Sequence, residues 1–247
     1  MVFFPISVSA ANLFTSGTEI FICAYHSSIV ATKDNFFAFG EGISATGGAH
    51  NPSPVDLSPA NGYNFTGDIL FATDATHDTQ AFILSTGGLY VWGNAANEGA
   101  ADQKVIADNN EDFHEINMPV GVAISDVTYL TASNGGVFLV ANGKVYAQGT
   151  STNLMGGGSA DTSGWYTVQK STGGDLTNVV FLKAHFDGAF AVTSTNEYYT
   201  WGDAVYLGDN SPVQSVTTGA ELMTPPFADS PSMIAVTGYY GNGVSYY

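Results

Sequence analysis

The chain contains no arginine, and its five basic residues are all lysines. Against them stand 22 acidic residues, which give a formal net charge of −17. Nucleic-acid binding relies on clustered cations that release counterions, and contacts to guanine or phosphate favour the forked guanidinium of arginine. The composition therefore argues against nucleic acid and anionic membranes as partners, whereas basic proteins remain compatible with it.

Cysteine is almost absent, since Cys23 stands alone. The chain therefore contains no internal disulfide, and the apolar neighbours of Cys23 predict a buried thiol. No apolar run approaches the length of a transmembrane helix, so no membrane insertion is expected. Residues 1–11 are apolar, but they lack a basic start and contain Pro5, so a strand of the fold is preferred over a signal peptide.

Polarity comes from small uncharged residues instead of charges. Charged residues make up only 11% of the chain, whereas apolar residues make up 45%. The 29 glycines and 13 tyrosines suit many short strands joined by tight turns, and no segment of useful length has an amphipathic helical period. These features predict an all-β fold with one substantial core.

A five-residue pattern recurs along the chain. It consists of two apolar or aromatic residues, one further residue, a bulky residue and a glycine, and it reads FFAFG, LYVWG, VYAQG and YYTWG at residues 36–40, 89–93, 145–149 and 198–202. The closing glycines are 53, 56 and 53 residues apart. This regular spacing indicates a repeat architecture of about 50 residues per unit.

A second apolar pattern ending on a small residue precedes each glycine. It occurs at residues 19–24, 69–75, 127–132, 179–184 and 233–238. Between the two patterns lies an apolar stretch and a turn, of which Gly87-Gly88 and Asn142-Gly143 are strong hairpin signals. Each repeat is therefore predicted to hold at least three short antiparallel strands.

These repeats resemble those of the regulator of chromosome condensation family. The resemblance is carried by GGLYVWG at residues 87–93, by NGKVYAQG at residues 142–149 and by the glycine-rich LMGGG at residues 154–158. It covers residues 18–247. His26 and His77 match the family's usual histidine only loosely, and Phe39 and Gln148 stand where its tryptophan is expected.

The resemblance implies a β-propeller that occupies residues 1–247 as a single domain. Repeats are expected at about 18–67, 68–125, 126–177, 178–231, and 232–247 combined with 1–17. In this arrangement about five blades close the ring, and the β-rich residues 2–9 complete the last blade. Because the family is usually seven-bladed, part of a seven-bladed propeller is the alternative.

An acidic stretch in the longest segment between repeats is a candidate contact site. Asp108, Asn110 and Asp112 have the spacing that begins a calcium loop, but Phe113 occupies the place of the required glycine and no glutamate follows at the twelfth position. These three residues are therefore predicted to form a solvated acidic loop that contacts a partner. No metal site is expected there.

No catalytic motif stands out in the sequence. His114 and Glu115 lack the spacing of a zinc site, and Gly157-Gly158-Ser159-Ala160-Asp161 breaks the pattern of a nucleophile elbow at its last position. No nucleotide fingerprint occurs either. The sequence therefore predicts no enzyme activity, no cofactor and no catalytic residue.

The three tryptophans divide into two groups. Trp92 and Trp201 occupy the bulky position of the repeat, which predicts that they pack between blades. Trp165 and Tyr166 lie outside that position, in a segment rich in Gly, Ser and Thr. They are the aromatic candidates for an exposed partner contact, since aromatic anchors are enriched in interfaces.

These observations favour a non-enzymatic protein-interaction module. The preferred hypothesis is a virion protein, such as a phage spike or a tail or capsid decoration, or an extracellular surface protein. It would bind a receptor or a neighbouring structural protein, and a homo-oligomer is compatible with it. The alternatives are an intracellular, cytoplasmic adaptor or exchange-factor-like propeller, and a carbohydrate-active propeller enzyme.

Overall fold

The computed structural model describes residues 20–23, 27–32, 35–40, 51–74, 81–92, 113–133, 135–158, 161–185, 188–202, 219–223, 234–237 and 243–246. Within these ranges the chain forms β-strands, turns and two short 3-10 helices, Pro59–Asn61 and Ile124–Asp126, and no α-helix. None of the described residues forms a helix that could span a membrane. The predicted all-β class is confirmed.

The strands form four antiparallel sheets of four strands and one sheet of two strands. The first sheet contains β1 (Ile20–Cys23), β2 (Ser27–Ala31), β3 (Phe36–Gly40) and β4 (Asn51–Asp56). The second contains β5 (Ile69–Asp74), β6 (Ala81–Ser85), β7 (Leu89–Trp92) and β8 (His114–Ile116). The third contains β9 (Val127–Ser133), β10 (Gly136–Ala141), β11 (Lys144–Gly149) and β12 (Asp161–Thr167). The fourth contains β13 (Val179–His185), β14 (Gly188–Thr193), β15 (Tyr198–Gly202) and β16 (Glu221–Met223). The two-stranded sheet pairs β17 (Ile234–Thr237) with β18 (Gly243–Tyr246).

Each four-stranded sheet follows the chain order, so its first strand is one edge and its fourth strand the other. The first strands of successive sheets contact one another, β1 with β5, β5 with β9, β9 with β13, and β13 with β17. Sheets joined in this way along their inner edges are the blades of a β-propeller, which confirms the predicted architecture. Residues 2–9 lie outside the described residues, so the closure of the last blade by this segment stays a prediction.

The second strand of a blade is buried on both faces. In β10, Phe138 and Val140 pack into the core between the third and fourth sheets, whereas Val137 and Leu139 pack into the core between the second and third. The same alternation divides β6 and β14 between two neighbouring cores. This arrangement explains why these strands read as continuous apolar runs instead of alternating polar and apolar residues.

The turn between β10 and β11 has the predicted hairpin geometry. Asn142 and Gly143 both have positive φ, 51° and 73°, and the strands pair from Ala141–Lys144 to Val137–Gln148. Two successive residues of positive φ match the type I′ turn, whose twist suits antiparallel strands. The carbonyl of Gly143 also accepts a hydrogen bond from the backbone N–H of Val179, at 3.0 Å. The hairpin therefore anchors the first strand of the next blade.

In the second and fourth blades, a hydrogen bond links the turn after the second strand to the segment that enters the blade. In the second blade the N–H of Thr86 donates to the Asp68 carbonyl at 2.8 Å, and in the fourth blade the N–H of Ser194 donates to the Asn178 carbonyl at 2.8 Å. Between blades, the N–H of Ala184 donates to Thr131 Oγ1 at 3.2 Å. These bonds satisfy backbone N–H groups at the ends of strands and in the turns between them.

Candidate functional site

The indole of Trp201 forms a buried joint between the third and fourth blades. Its side chain is fully buried, and Nε1 donates a hydrogen bond to the Leu154 carbonyl at 2.9 Å. Leu154 lies in the glycine-rich turn that follows β11, and the indole packs edge-on against Phe138 at 6.1 Å between ring centroids. The predicted packing role of Trp201 is confirmed. Trp201 of the fourth blade is thus bonded to the glycine-rich turn of the third blade.

Trp92 occupies the same position in the second blade and is also buried. Its ring lies 6.3 Å from the ring of Phe36 and 6.3 Å from that of Phe113, in the core between the first and second sheets. The predicted packing role of Trp92 is therefore confirmed.

Trp165 has different surroundings, because the outer strand of the third blade bulges there. Ala147 pairs with Tyr166 and Gly149 pairs with Asp161, so residues 162–165 lie opposite the single residue Gln148. A bulge re-aims the side chains it carries and interrupts the ladder. Trp165 lies within this bulge, and its indole contacts the segment that follows β8.

The indole of Trp165 is anchored to the neighbouring blade. Its Nε1 donates to the Asn117 carbonyl at 2.7 Å, and the half-buried ring packs at the margin of the core between the second and third sheets. Residues 117–122 connect the last strand of the second blade to the third blade. The ring is thus held from both sides of the junction while part of its surface stays in contact with solvent.

An open groove of about 560 Å³ lies at this junction. One wall consists of Asn117, Met118, Pro119 and Val120, and the other of Tyr146, Ser163, Gly164, Trp165 and Thr167. This volume falls within the range of small-ligand sites. None of these nine described lining residues carries a formal charge at neutral pH.

A tight turn shapes the first wall of the groove. The N–H of Val122 donates to the Pro119 carbonyl at 3.0 Å, and Gly121 has φ of 77°, as at the third position of a type II turn. This turn holds Val120 at its tip, where the side chain is fully exposed. The N–H of Ala123 then donates to Asp126 Oδ2 at 3.0 Å, which fixes the end of the segment.

The second wall is built on paired strands. Tyr146 of β11 lies directly opposite Thr167 of β12 and, on its other side, opposite Leu139 of β10. The phenol of Tyr146 is half-buried and packs at the same core margin as Trp165. Two aromatic residues of adjacent strands, Tyr146 and Trp165, therefore line the groove together with the turn at residues 119–122.

Of the predicted contact residues, the structure describes only Trp165 and Tyr166, and these two have different surroundings. Trp165 lines the groove, but its neighbour Tyr166 does not, and the ring of Tyr166 instead lies against Gly158, where an added Cβ would come within 2.7 Å of it. Asp108, Asn110 and Asp112 lie outside the described residues, so their contact role stays a prediction. The groove residues 117–120 and Tyr146 were not predicted, and the turn-forming composition of Pro119-Val120-Gly121 was the available signal.

The described residues offer no assembled catalytic or metal centre. No group of three or more His, Cys, Asp and Glu side chains among them could hold a metal ion. His114 is half-buried on β8 and Glu115 is exposed beside it. The groove lining offers aromatic and apolar surface together with hydroxyl and amide groups that can hydrogen-bond.

The described residues whose pKa is shifted, Tyr129, Lys144 and Tyr198, do not line the groove. The hydrogen bond and charge of Asp175, 2.7 Å from Lys144 Nζ, raise the pKa of Lys144. Burial raises the pKa of Tyr129, whose ring packs edge-on against Phe181, and that of Tyr198. These groups mark contacts between elements of the propeller.

No protein-family model matches the sequence, and no curated protein matches it either. Solved structures do match the fold. Human WBSCR16 superposes with a TM-score of 0.66 at 18% identity, over 89% of this chain and 56% of its own. Yeast RCC1, also named Prp20, in its structure bound to Kap60 gives a TM-score of 0.63 at 17% identity, over 89% of this chain and 52% of its own.

A second structure of Prp20p, from Saccharomyces cerevisiae, gives a TM-score of 0.61 at 16% identity, over 90% of this chain and 53% of its own. The report of that structure describes binding of Prp20p to Gsp1p and histones. The present chain spans about half the length of these relatives. At such identities the likeness shows an RCC1-like β-propeller fold, and it confirms the resemblance drawn from the repeats.

Proposed function

We propose that this RCC1-like β-propeller is a non-enzymatic interaction module of a virion or an extracellular surface. It would serve as a phage spike or as a tail or capsid decoration, and it would bind a receptor or a neighbouring structural protein. The observation that carries this proposal is the groove beside Trp165, which is lined by an anchored, partly exposed indole and by the exposed Val120.

The groove has the make-up of a recognition surface. Binding energy in interfaces is concentrated in aromatic anchors that are held rigidly before the partner arrives. Trp165 meets this condition because its N–H is fixed on the Asn117 carbonyl. The half-buried Met118 and the exposed Val120 supply further apolar surface without flexible charged side chains. Such a groove favours binding over chemical conversion.

The composition supports a surface role. A charge of −17 keeps a protein soluble and opposes association with nucleic acid, and the absence of arginine removes the usual phosphate contact. Gly, Ser, Thr and Asn supply polarity without charge. These properties suit a module that is displayed in quantity on a particle and meets other macromolecules in solution.

The first experiment determines how the chain exists in its native source, by measuring the mass and composition of the particle or complex that contains it. Fixed stoichiometry with capsid, tail or other surface proteins supports the proposal. A free intracellular monomer contradicts it and favours the adaptor or exchange-factor alternative. Hydrolysis of a glycan by the pure protein would favour the enzyme alternative instead.

The second experiment tests the groove on the same particles. Trp165→Ala is compared with Leu222→Ala, which removes an exposed apolar side chain from β16 outside the groove lining. We expect Trp165→Ala to reduce attachment to the receptor-bearing surface about ten-fold or more, and Leu222→Ala to leave it unchanged. Equal attachment by both variants would show that the contact lies elsewhere.

A further inference from the structure

We infer that the groove beside Trp165 takes an uncharged saccharide, such as the neutral sugars of a receptor glycan. This inference rests on the proposed function, because it assigns a ligand class to the same groove. Three features of the groove carry it: the way its aromatic rings are held, the hydrogen-bonding groups between them, and the absence of charge from its described lining.

The aromatic side chains present ring surface and little hydrogen-bonding demand. The indole N–H of Trp165 is already bonded to the Asn117 carbonyl at 2.7 Å, so the remaining contact surface of this side chain is apolar. Tyr146 adds a second ring on the same wall. Sugars have apolar C–H faces that pack against such rings, where dispersion and the release of water stabilise the contact.

Small polar side chains lie beside these rings. Thr167 and Tyr146 sit opposite each other in the β11–β12 pair, and the exposed residue Asn117 also lines the groove. Hydroxyl and amide groups both donate and accept hydrogen bonds. Neighbouring sugar hydroxyls do the same, so one saccharide can satisfy both roles at each of these side chains.

Charge decides which saccharides fit. Since the nine described lining residues carry no formal charge, no cation in that lining pairs with a carboxylate or sulfate. The whole chain carries a charge of −17, which repels acidic sugars. The groove therefore favours neutral saccharides over their sialylated or sulfated counterparts.

A proline-rich peptide is the competing occupant, because such segments also dock in aromatic grooves. Peptide carbonyls in these complexes need donors, and the indole N–H of Trp165 is committed to the neighbouring blade. The remaining Asn117, Tyr146 and Thr167 groups are mixed donors and acceptors, which match hydroxyls better than a row of carbonyls. The saccharide is the better fit.

The test uses the 247-residue chain and a panel of immobilised neutral oligosaccharides, together with sialylated and sulfated versions of them and a set of proline-rich peptides. Affinities are then measured by calorimetry for Trp165→Ala, Asn117→Ala and the control Leu222→Ala. Asn117→Ala leaves the carbonyl that anchors Trp165 in place, so it removes only the side-chain amide. Thermal melting of every variant shows whether it is folded.

We expect binding to neutral saccharides, weakened about ten-fold or more by Trp165→Ala and about three-fold or more by Asn117→Ala, and unchanged by Leu222→Ala. Acidic versions should bind more weakly, most clearly at low ionic strength. Absence of saccharide binding, stronger binding of the acidic versions, or a preference for the peptides would each overturn the inference.

Two failures can be told apart. If no saccharide binds, but Trp165→Ala still lowers attachment to the receptor-bearing surface, the ligand class is wrong and the proposed function stands. If saccharides bind through Trp165, but the native chain is found as a free intracellular monomer, the ligand class stands and the virion or extracellular role is wrong.

Discussion

Two tryptophans of this propeller make the same hydrogen bond in different settings. Trp201 donates its indole N–H to the Leu154 carbonyl at 2.9 Å, and Trp165 donates to the Asn117 carbonyl at 2.7 Å. Each bond crosses from one blade to the carbonyl of a connecting segment. Trp201 is fully buried, however, whereas Trp165 is only half-buried and lines an open groove.

The difference comes from the strand that carries each indole. Trp201 lies on β15, a third strand, opposite the small Ala189 and between two other strands of its blade. Trp165 lies on β12, the outer edge of its blade, where the bulge interrupts the ladder. An interblade bond made inside the sheet is buried with the core, whereas the one made at the rim also fixes a partly exposed ring, which we propose as a partner contact.

The largest effect is expected from Trp201→Ala, which would break the buried joint. Removing a fully buried indole leaves a cavity and an unpaired Leu154 carbonyl, so the free energy of unfolding should fall by about 3–5 kcal/mol. Urea denaturation followed by far-ultraviolet circular dichroism measures this change. Trp201→Phe keeps much of the packing and should lose less, and a change below about 1 kcal/mol in the alanine variant would show that the joint contributes little.

Gly149→Ala should weaken the same contact between Trp201 and Leu154, because Gly149 lies in the blade that carries Leu154. A Cβ at this position would lie 2.2 Å from the Gly135 carbonyl oxygen and 2.7 Å from the Gly136 Cα, both of which are backbone atoms. The backbone must shift, and the turn that carries Leu154 shifts with it, at an expected cost of about 1–3 kcal/mol. Thr152→Ala, exposed in the same turn, is the control for urea denaturation. Equal stability of the two variants would contradict this account.

At the rim, Trp165→Ala should cost less stability, about 1 kcal/mol, because the ring is already in part exposed and leaves no closed cavity. Its effect on ligand binding should be larger than its effect on folding, and for Trp201→Ala the order should be reversed. Parallel measurement of unfolding and binding for both variants tests this. A Trp165→Ala variant as unstable as Trp201→Ala would mean that the two bonds are equivalent.

The smallest effect is expected from the surface pair of Lys144 and Asp175, which links the β10–β11 hairpin to the segment before β13. Because folding raises the pKa of Lys144, the contribution of the ion pair to stability is complete below the pKa that Lys144 has in the unfolded chain. This contribution is lost as pH rises through the pKa of Lys144 in the folded protein. Lys144→Gln should therefore match the wild type above that range. Below it, a small difference in unfolding free energy should shrink with added salt, and a difference that grows with salt would be inconsistent with an ion pair.

Much of the fold could be predicted from the sequence, because the repeat encodes local structure. Asn142-Gly143 indicated a tight hairpin, and both residues have the positive φ that such a turn requires. The spacing of the glycines at residues 93, 149 and 202 placed Trp92 and Trp201 at equivalent positions, and both are buried. Turn chemistry and strand spacing act within a few residues, so a single sequence displays them directly.

The groove could be predicted only in part. Trp165 was recognisable as an aromatic residue outside the repeat positions, but its hydrogen-bond partner lies 48 residues earlier in the chain. The bulge opposite Gln148 leaves no periodic signal in the sequence, although Pro119 and Gly121 mark the local turn that carries Val120. Tyr166 was paired with Trp165 because the two are adjacent, yet its ring packs on Gly158 instead of entering the groove.

The shared burial of the second strands bears on how a protein of this kind can change in length. Each of β6, β10 and β14 gives one face to the core before it and the other face to the core after it. A duplicated repeat would therefore give one face to the core on each side of it and add one core, without leaving an apolar face unmatched. Duplication or deletion of whole repeats can thus change the number of blades, whereas a gain of half a blade would expose apolar surface.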